Sequence, residues 1–221
     1  MDFQIALMLA QDGIVNGAIY ALMALALVLV FSVTRVIFIP QGEFVTYAAL
    51  AMAALQTGKL PAVLWLLVAL GALTLVVEAV RQARGQEVDW RSTLLWAVVL
   101  PAAAALLMGV VKPQSMLLQA LAVLLLVVPM GPLVYRLAYR PLADATVLIL
   151  LIVSVALHLA LVGLGLYFFG AEGSRTDAFS DARWDLLGLT VSGQSLVILK
   201  PERFVSFAVD REGHILREAF R

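Results

Sequence analysis

The chain contains no cysteine, which excludes disulfides, thiol catalysis and thiolate metal sites. Its two histidines are His158 and His214, and no HExxH pair occurs, so the commonest helical zinc motif is missing. Charge is also scarce. Asp, Glu, Lys and Arg make up 14% of the residues, against about a quarter in soluble domains. The 15 basic residues are matched by 15 acidic ones, leaving no basic surface for nucleic acid. Neither a water-soluble enzyme nor a disordered segment has this composition. The 221 residues are instead 63% hydrophobic, with a mean hydropathy of +1.00. The fold class expected is all-α: a polytopic membrane bundle of about six transmembrane helices. Nothing in the sequence calls for a cofactor or a metal.

A helix rising about 1.5 Å per residue needs roughly 20 apolar residues to cross about 30 Å of hydrocarbon. Six stretches are candidates: 13–33, 42–55, 61–80, 93–111, 116–135 and 145–169. The first is uncharged. The second is short and opens on Pro-Gln-Gly-Glu. The fifth is interrupted by Pro129, Gly131 and Pro132. The first stretch reads as a span and not as a signal peptide, because Met1 to Gln11 holds Asp2 and no Lys or Arg, and the apolar run is too long. With the N-terminus outside, the inner loops hold Arg35, Arg81, Arg84, Arg91, Arg136 and Arg140. The outer ones hold Lys59, Lys112, Arg175 and Arg183. That bias sets the expected orientation. Residues 1–169 are thus the transmembrane domain, and 170–199 an extracytoplasmic loop with a short apolar segment. Residues 200–221 form a polar tail, where two short runs around Asp210-Arg211-Glu212-Gly213 fit either a small β-hairpin or disorder.

Within the first span, Gly13, Gly17 and Ala21 recur every four residues and would let another helix approach closely. Asn16 and Tyr20 lie on an adjoining strip, where they would face a substrate path or bond a neighbouring helix. Arg35 to Phe44 is the most informative stretch. Pro40 lacks a backbone donor and Gly42 tolerates unusual dihedrals, so a helix is not expected to run through it. A broken helix at membrane depth exposes polar backbone that transporters use to hold substrates. A helix starting near Gly42 would aim its positive end at a carboxylate. Gln41 and Glu43 flank that start. Glu43 would either face an ammonium group or cap the helix in water. His158, inside the sixth stretch, would contact a proton or substrate, or bond a neighbouring helix. Glu78, Arg81 and Arg84 read as a snorkelling patch at a span end. Tyr135 to Leu142 reads as an interface anchor ended by Pro141.

Four blocks carry a resemblance: Gly13-Ile-Val-Asn-Gly-Ala-Ile-Tyr-Ala-Leu22, Arg35 to Phe44, Tyr139-Arg-Pro-Leu142, and Phe169-Gly-Ala-Glu-Gly-Ser-Arg175. In this order they resemble the LivH-type permease subunits of branched-chain amino acid ABC importers, over about a third of the chain. The resemblance implies a multi-pass protein of the cell (inner) membrane that performs no chemistry itself. It implies a second permease subunit, cytoplasmic ATPase subunits and a periplasmic solute-binding protein as partners, besides membrane lipid. Gln41, Gly42 and Glu43 keep the family pattern, whereas Phe38 stands where the family commonly has Asn and Pro40 where it has Ala. Residues 61–134 carry more apolar sequence than shorter members do. The family continues into further spans after a stretch like Val191 to Ile198, so the chain reads as C-terminally shortened, and no ATPase-docking loop is found. Two alternatives stand beside the importer subunit. One is a truncated remnant or half-permease that needs a partner chain. The other is an intramembrane enzyme built on Ser154 and His158, one helical turn apart.

Overall fold

The computed structural model describes residues 2–111, 115–170, 173–177, 183–186 and 189–192. Their helices are α1 (Asp2–Thr34), α2 (Gln41–Gln56), α3 (Val63–Ala83), α4 (90–111), α5 (Met116–Leu142) and α6 (Val147–Phe169). Five of these helices, all but α2, are long and apolar enough to cross a membrane. The protein is an all-α polytopic bundle. Its described residues divide into two units, each considered by itself. One runs from Val30 to Asp177, and the other joins the N-terminal part of α1 to the chain from Ala178 onward.

The second helix, α2, is the shortest of the six, as the short second stretch of the sequence led us to expect. The 16 residues of α2 span about 24 Å, short of the hydrocarbon thickness. Residues 35–40 are not helical and supply the remainder. Depth can be followed along α6. Val36 packs with Leu150 near the start of α6, Glu43 meets His158 at its middle, and Tyr47 bonds Leu161 beyond the middle. At the far end, Gln56 accepts a hydrogen bond from the Asp177 N–H at 2.8 Å. The 35–56 segment therefore runs parallel to α6 and rises with it from one end to the other.

The break itself follows from residue chemistry. Arg35 ends α1 at φ 57, with its N–H donating to the Phe31 carbonyl at 2.8 Å; this is the single-bond left-handed helix stop. The Val36 N–H donates to Thr34 Oγ1 at 3.2 Å, and the Ile39 N–H to the Ile37 carbonyl at 3.0 Å. Pro40 has no N–H to satisfy, and its φ of −63 suits the entry to α2. Val36 and Pro40 are buried and residues 37–39 half-buried, so most of the irregular backbone is shielded by protein, as hydrocarbon favours.

Prolines also shape α4 and α5. Each holds π-helical turns: Leu95–Val99 and Leu107–Val111 in α4, and Tyr135–Tyr139 in α5. A proline follows each turn two residues later, at positions 101, 113 and 141. Proline cannot donate to the carbonyl four residues back and its ring crowds it. A π turn shifts the ladder locally: the Leu100 N–H reaches back five residues to Leu95, and the Arg140 N–H to Tyr135.

The core is built on α2. Tyr47, Ala51 and Met52 pack with Leu66 and Leu67 of α3, Ala97 and Ala104 of α4, Ala122, Leu126 and Met130 of α5, and Leu161 of α6. Lipid is as apolar as leucine, so close packing rather than water exclusion holds such helices together. The alanines at the contacts serve that end. The closest approach is at Gly71, where an added Cβ would sit 2.6 Å from the Ala97 carbonyl oxygen. This is the carbonyl that Pro101 leaves without its usual donor, and the glycine Cα–H is aimed at it.

A short antiparallel pair follows the bundle, β1 (Arg183–Leu186) with β2 (Leu189–Ser192), in the register Arg183↔Ser192 to Leu186↔Leu189. It lies in the stretch expected to be irregular loop and short apolar segment. The signal was local: both runs alternate polar and apolar residues, and two residues separate them. The hairpin expected within 200–221 falls outside the described residues.

Gly71→Ala is expected to destabilise the detergent-solubilised protein by about 1–3 kcal/mol through overpacking. Gly163, where a Cβ would meet nothing within 4 Å, serves as control; Gly163→Ala should be neutral or stabilising by about 0.5–1 kcal/mol. Thermal unfolding of the two variants side by side checks this, and equal effects would contradict the close contact.

Candidate functional site

Two of the sequence candidates, Glu43 and His158, are brought together. Glu43 Oε1 lies 3.3 Å from His158 Nδ1, with the glutamate side chain 16% exposed and the imidazole 36% exposed. His158 stands 11 residues from either end of α6, about 16 Å of helix each way. With α6 crossing end to end, the pair sits near the bilayer midplane. An ionisable group at that depth is costly and marks a functional position by default. Here there are two.

The pair follows from two helical faces in register. Glu43 occupies the first turn of α2, where a carboxylate complements the positive end of the helix. Tyr47 and Ala51 lie four and eight residues further along the same face. On α6 the matching face is His158, Leu161, Gly165 and Phe169. Tyr47 is fully buried and its hydroxyl donates to the Leu161 carbonyl at 2.5 Å. Its ring stacks on Phe169 with centroids 6.0 Å apart. A Cβ on Gly165 would stand 3.2 Å from the Tyr47 ring, so glycine there admits the tyrosine. Sequence reasoning missed Tyr47 and Gly165, although the spacing from Glu43 and from His158 carried the signal.

A groove of about 240 Å³ opens beside Glu43 between α2 and α6. Glu43 and Thr46 lie toward its head, and Leu50, Val162, Leu166 and Phe169 line its length toward Gly170. The arrangement offers one carboxylate, the start of a helix and an apolar slot. Nothing in it resembles a nucleophile–base–orienter set. Ser154 is fully buried and shares a 2.7 Å hydrogen bond with Tyr139 Oη, so its hydroxyl is engaged with the phenol and not with His158. No cluster of metal-ligating side chains occurs among the described residues.

The remaining candidates are placed as follows. Gln41 and Gly42 are half-buried at the start of α2, next to Glu43. Phe38, in the position where the resembled family has Asn, packs on Phe44 and Tyr139 at centroid distances of 5.5 and 6.0 Å. Gly13, Gly17, Ala21, Asn16 and Tyr20 belong to the other unit and are exposed; a Cβ on Gly13 or Gly17 would meet nothing within 4 Å.

A second polar cluster lies where α3, α4 and α5 meet. Glu78 is fully buried and accepts from Arg140 Nη1 at 2.7 Å, with Arg81 Nη1 at 3.8 Å. Arg136 donates to Ser92 Oγ at 2.6 Å and also to Thr93 Oγ1. Glu78 is therefore no snorkelling surface group, as its place near a span end suggested; Arg140, 62 residues away in sequence, folds over to neutralise it. Arg84 alone of that trio remains as an exposed surface charge.

No protein-family model, curated protein or solved structure matches the chain.

Glu78→Ala would strand the Arg140 guanidinium at a helix junction and is expected to cost about 3 kcal/mol. A double-mutant cycle with Arg140→Ala, followed by unfolding in detergent, should return a coupling energy above about 1 kcal/mol. Additive single effects would mean the two groups are not paired.

Proposed function

We propose that the protein is a membrane permease subunit of an ABC-type importer for branched-chain or related amino acids, and that the α2–α6 groove is part of its translocation path. The observation that carries this reading is the Glu43–His158 pair, halfway along a long apolar helix and at the start of a 16-residue one, with Glu43 at the head of an apolar groove. Transporters place substrate sites at such helix breaks. A zwitterion with an aliphatic side chain complements the three features. Its ammonium replaces the imidazole on Glu43, its carboxylate meets the positive start of α2, and its side chain lies along Leu50, Val162 and Leu166. The family resemblance, which rests on the residues quoted for it, supports the same substrate class.

The chain itself would do no bond chemistry. ATPase subunits on the inner side would bias the pore between two states, since a motor moves solute only by stabilising one state over the other. A binding protein would deliver solute on the outer side, and a second permease would complete the pore. The exposed small-residue strip at Gly13, Gly17 and Ala21 favours a further helix packing there. That strip also suits the reading of a half-permease completed by a partner chain.

Glu43→Ala is expected to lower uptake of radiolabelled leucine by about 10-fold to 100-fold, the loss of one charge-assisted hydrogen bond to substrate, with membrane abundance unchanged. Glu43→Asp should keep part of the uptake. Wild-type uptake in Glu43→Ala, or a fall in abundance that matches the fall in uptake, would sink the proposal.

A further inference from the structure

A larger groove, about 440 Å³, lies apart from the Glu43–His158 pair. Its walls are the end of α1 and the break on one side (Val30, Val36, Phe38) and the kinked part of α5 on the other (Gly131, Pro132, Tyr135). Its volume is within the range of small-molecule sites, about 300–1,000 Å³. The polar atoms of its lining are largely occupied. Thr34 Oγ1 donates to the Val30 carbonyl at 2.7 Å, and Tyr139 Oη is shared with Ser154. The groove thus offers an apolar channel and little hydrogen bonding, which suits a hydrocarbon chain and not a zwitterion.

A charged residue adjoins two of its lining residues in the chain. Arg35 sits between Thr34 and Val36, which both line the groove, and is exposed. Among the described residues no side chain pairs with its guanidinium. The neighbouring arginines of α5 differ: Arg136 is taken up by Ser92 and Thr93, and Arg140 by Glu78. Arg35 is also the one non-glycine residue with positive φ among the described residues, at 57°. That helix-stop position is usually glycine, because a Cβ is disfavoured there. A cationic side chain is thus kept at a strained position beside an apolar channel. It lies on the side of the bundle to which the arginine-rich loops point.

The geometry points to a binding site for one anionic phospholipid, with the phosphate on Arg35 and an acyl chain in the groove between α1 and α5. Basic pockets between helices on the inner side of a membrane bind such headgroups. The site is separate from the proposed translocation groove and does not depend on what the protein carries.

The test is native mass spectrometry of the full chain in detergent, with phosphatidylglycerol or with phosphatidylcholine of the same acyl chains. Wild type is expected to retain phosphatidylglycerol at least 10-fold more than phosphatidylcholine, the effect of one charge-assisted contact. Arg35→Lys should keep that preference and Arg35→Gln should abolish it. Arg35→Gly should abolish it too without lowering the unfolding temperature, since glycine suits the local backbone; this separates lost binding from lost folding. Gly131→Phe, which fills open space at the groove wall, should lose both lipids. Equal retention of the two lipids by wild type, or a preference that survives Arg35→Gln and Arg35→Gly, overturns the site. So does glycerol phosphate binding as tightly as the intact lipid, which would mark a plain anion contact.

Discussion

Hydrocarbon offers no partner to a stray backbone N–H or C=O, and this one constraint governs where the bundle departs from helix. The largest departure, residues 35–40, is partly buried against the core. Val36 and Pro40 are buried, and local bonds to Phe31, Thr34 and Ile37 take up the N–H groups of Arg35, Val36 and Ile39. The helix that follows is placed centrally for the same reason. Tyr47 and Ala51 of α2 are fully buried among residues of α3, α4, α5 and α6. A short helix with an irregular entry is tolerated when longer helices surround it. The prolines of α4 and α5 obey the same rule on a smaller scale, through π turns and, at Ala97, through a glycine Cα–H.

Buried side chains show how differently a polar group can be held. Glu78 has a short bond to Arg140 and a second guanidinium nearby, and Ser154 and Tyr139 satisfy one another. These short contacts lock helix to helix, while Glu78 Oε2 and Arg81 Nη1 make no hydrogen bond of good geometry among the described residues. The Glu43–His158 contact is longer, at 3.3 Å, and Nδ1 of His158 makes no hydrogen bond of good geometry. Glu43 also lines a groove that the Glu78–Arg140 pair does not line. A loosely satisfied pair beside open space can exchange one partner for an incoming group, whereas a closed pair would have to be broken first. Contact length and access to a groove, rather than the presence of charge, separate the proposed site from the Glu78–Arg140 clamp.

Much of the site was legible before folding. The Pro40–Gly42 break, Glu43 in the first turn and His158 in the middle of an apolar run each stood out because a bilayer makes such residues expensive. Their pairing did not, since nothing local in α2 refers to a residue 115 positions later in α6. Glu78 failed to stand out because its position near a span end is also that of a harmless interfacial carboxylate. Only Arg140 arriving from α5 makes it a buried clamp. The hairpin at 183–192 was readable as alternation but was masked by the polar composition of its surroundings.

Composition and the length of the apolar runs alone determined that this chain is a bundle of helices, most of them long and apolar enough to cross a membrane. Those properties arise residue by residue, from transfer into hydrocarbon and from local hydrogen bonding. Tertiary structure decided that the second helix is short and entered through an irregular break, which carboxylate meets a guanidinium and which an imidazole, and where grooves remain. Those outcomes depend on which helical faces meet, and that is set by close packing between segments far apart in the chain.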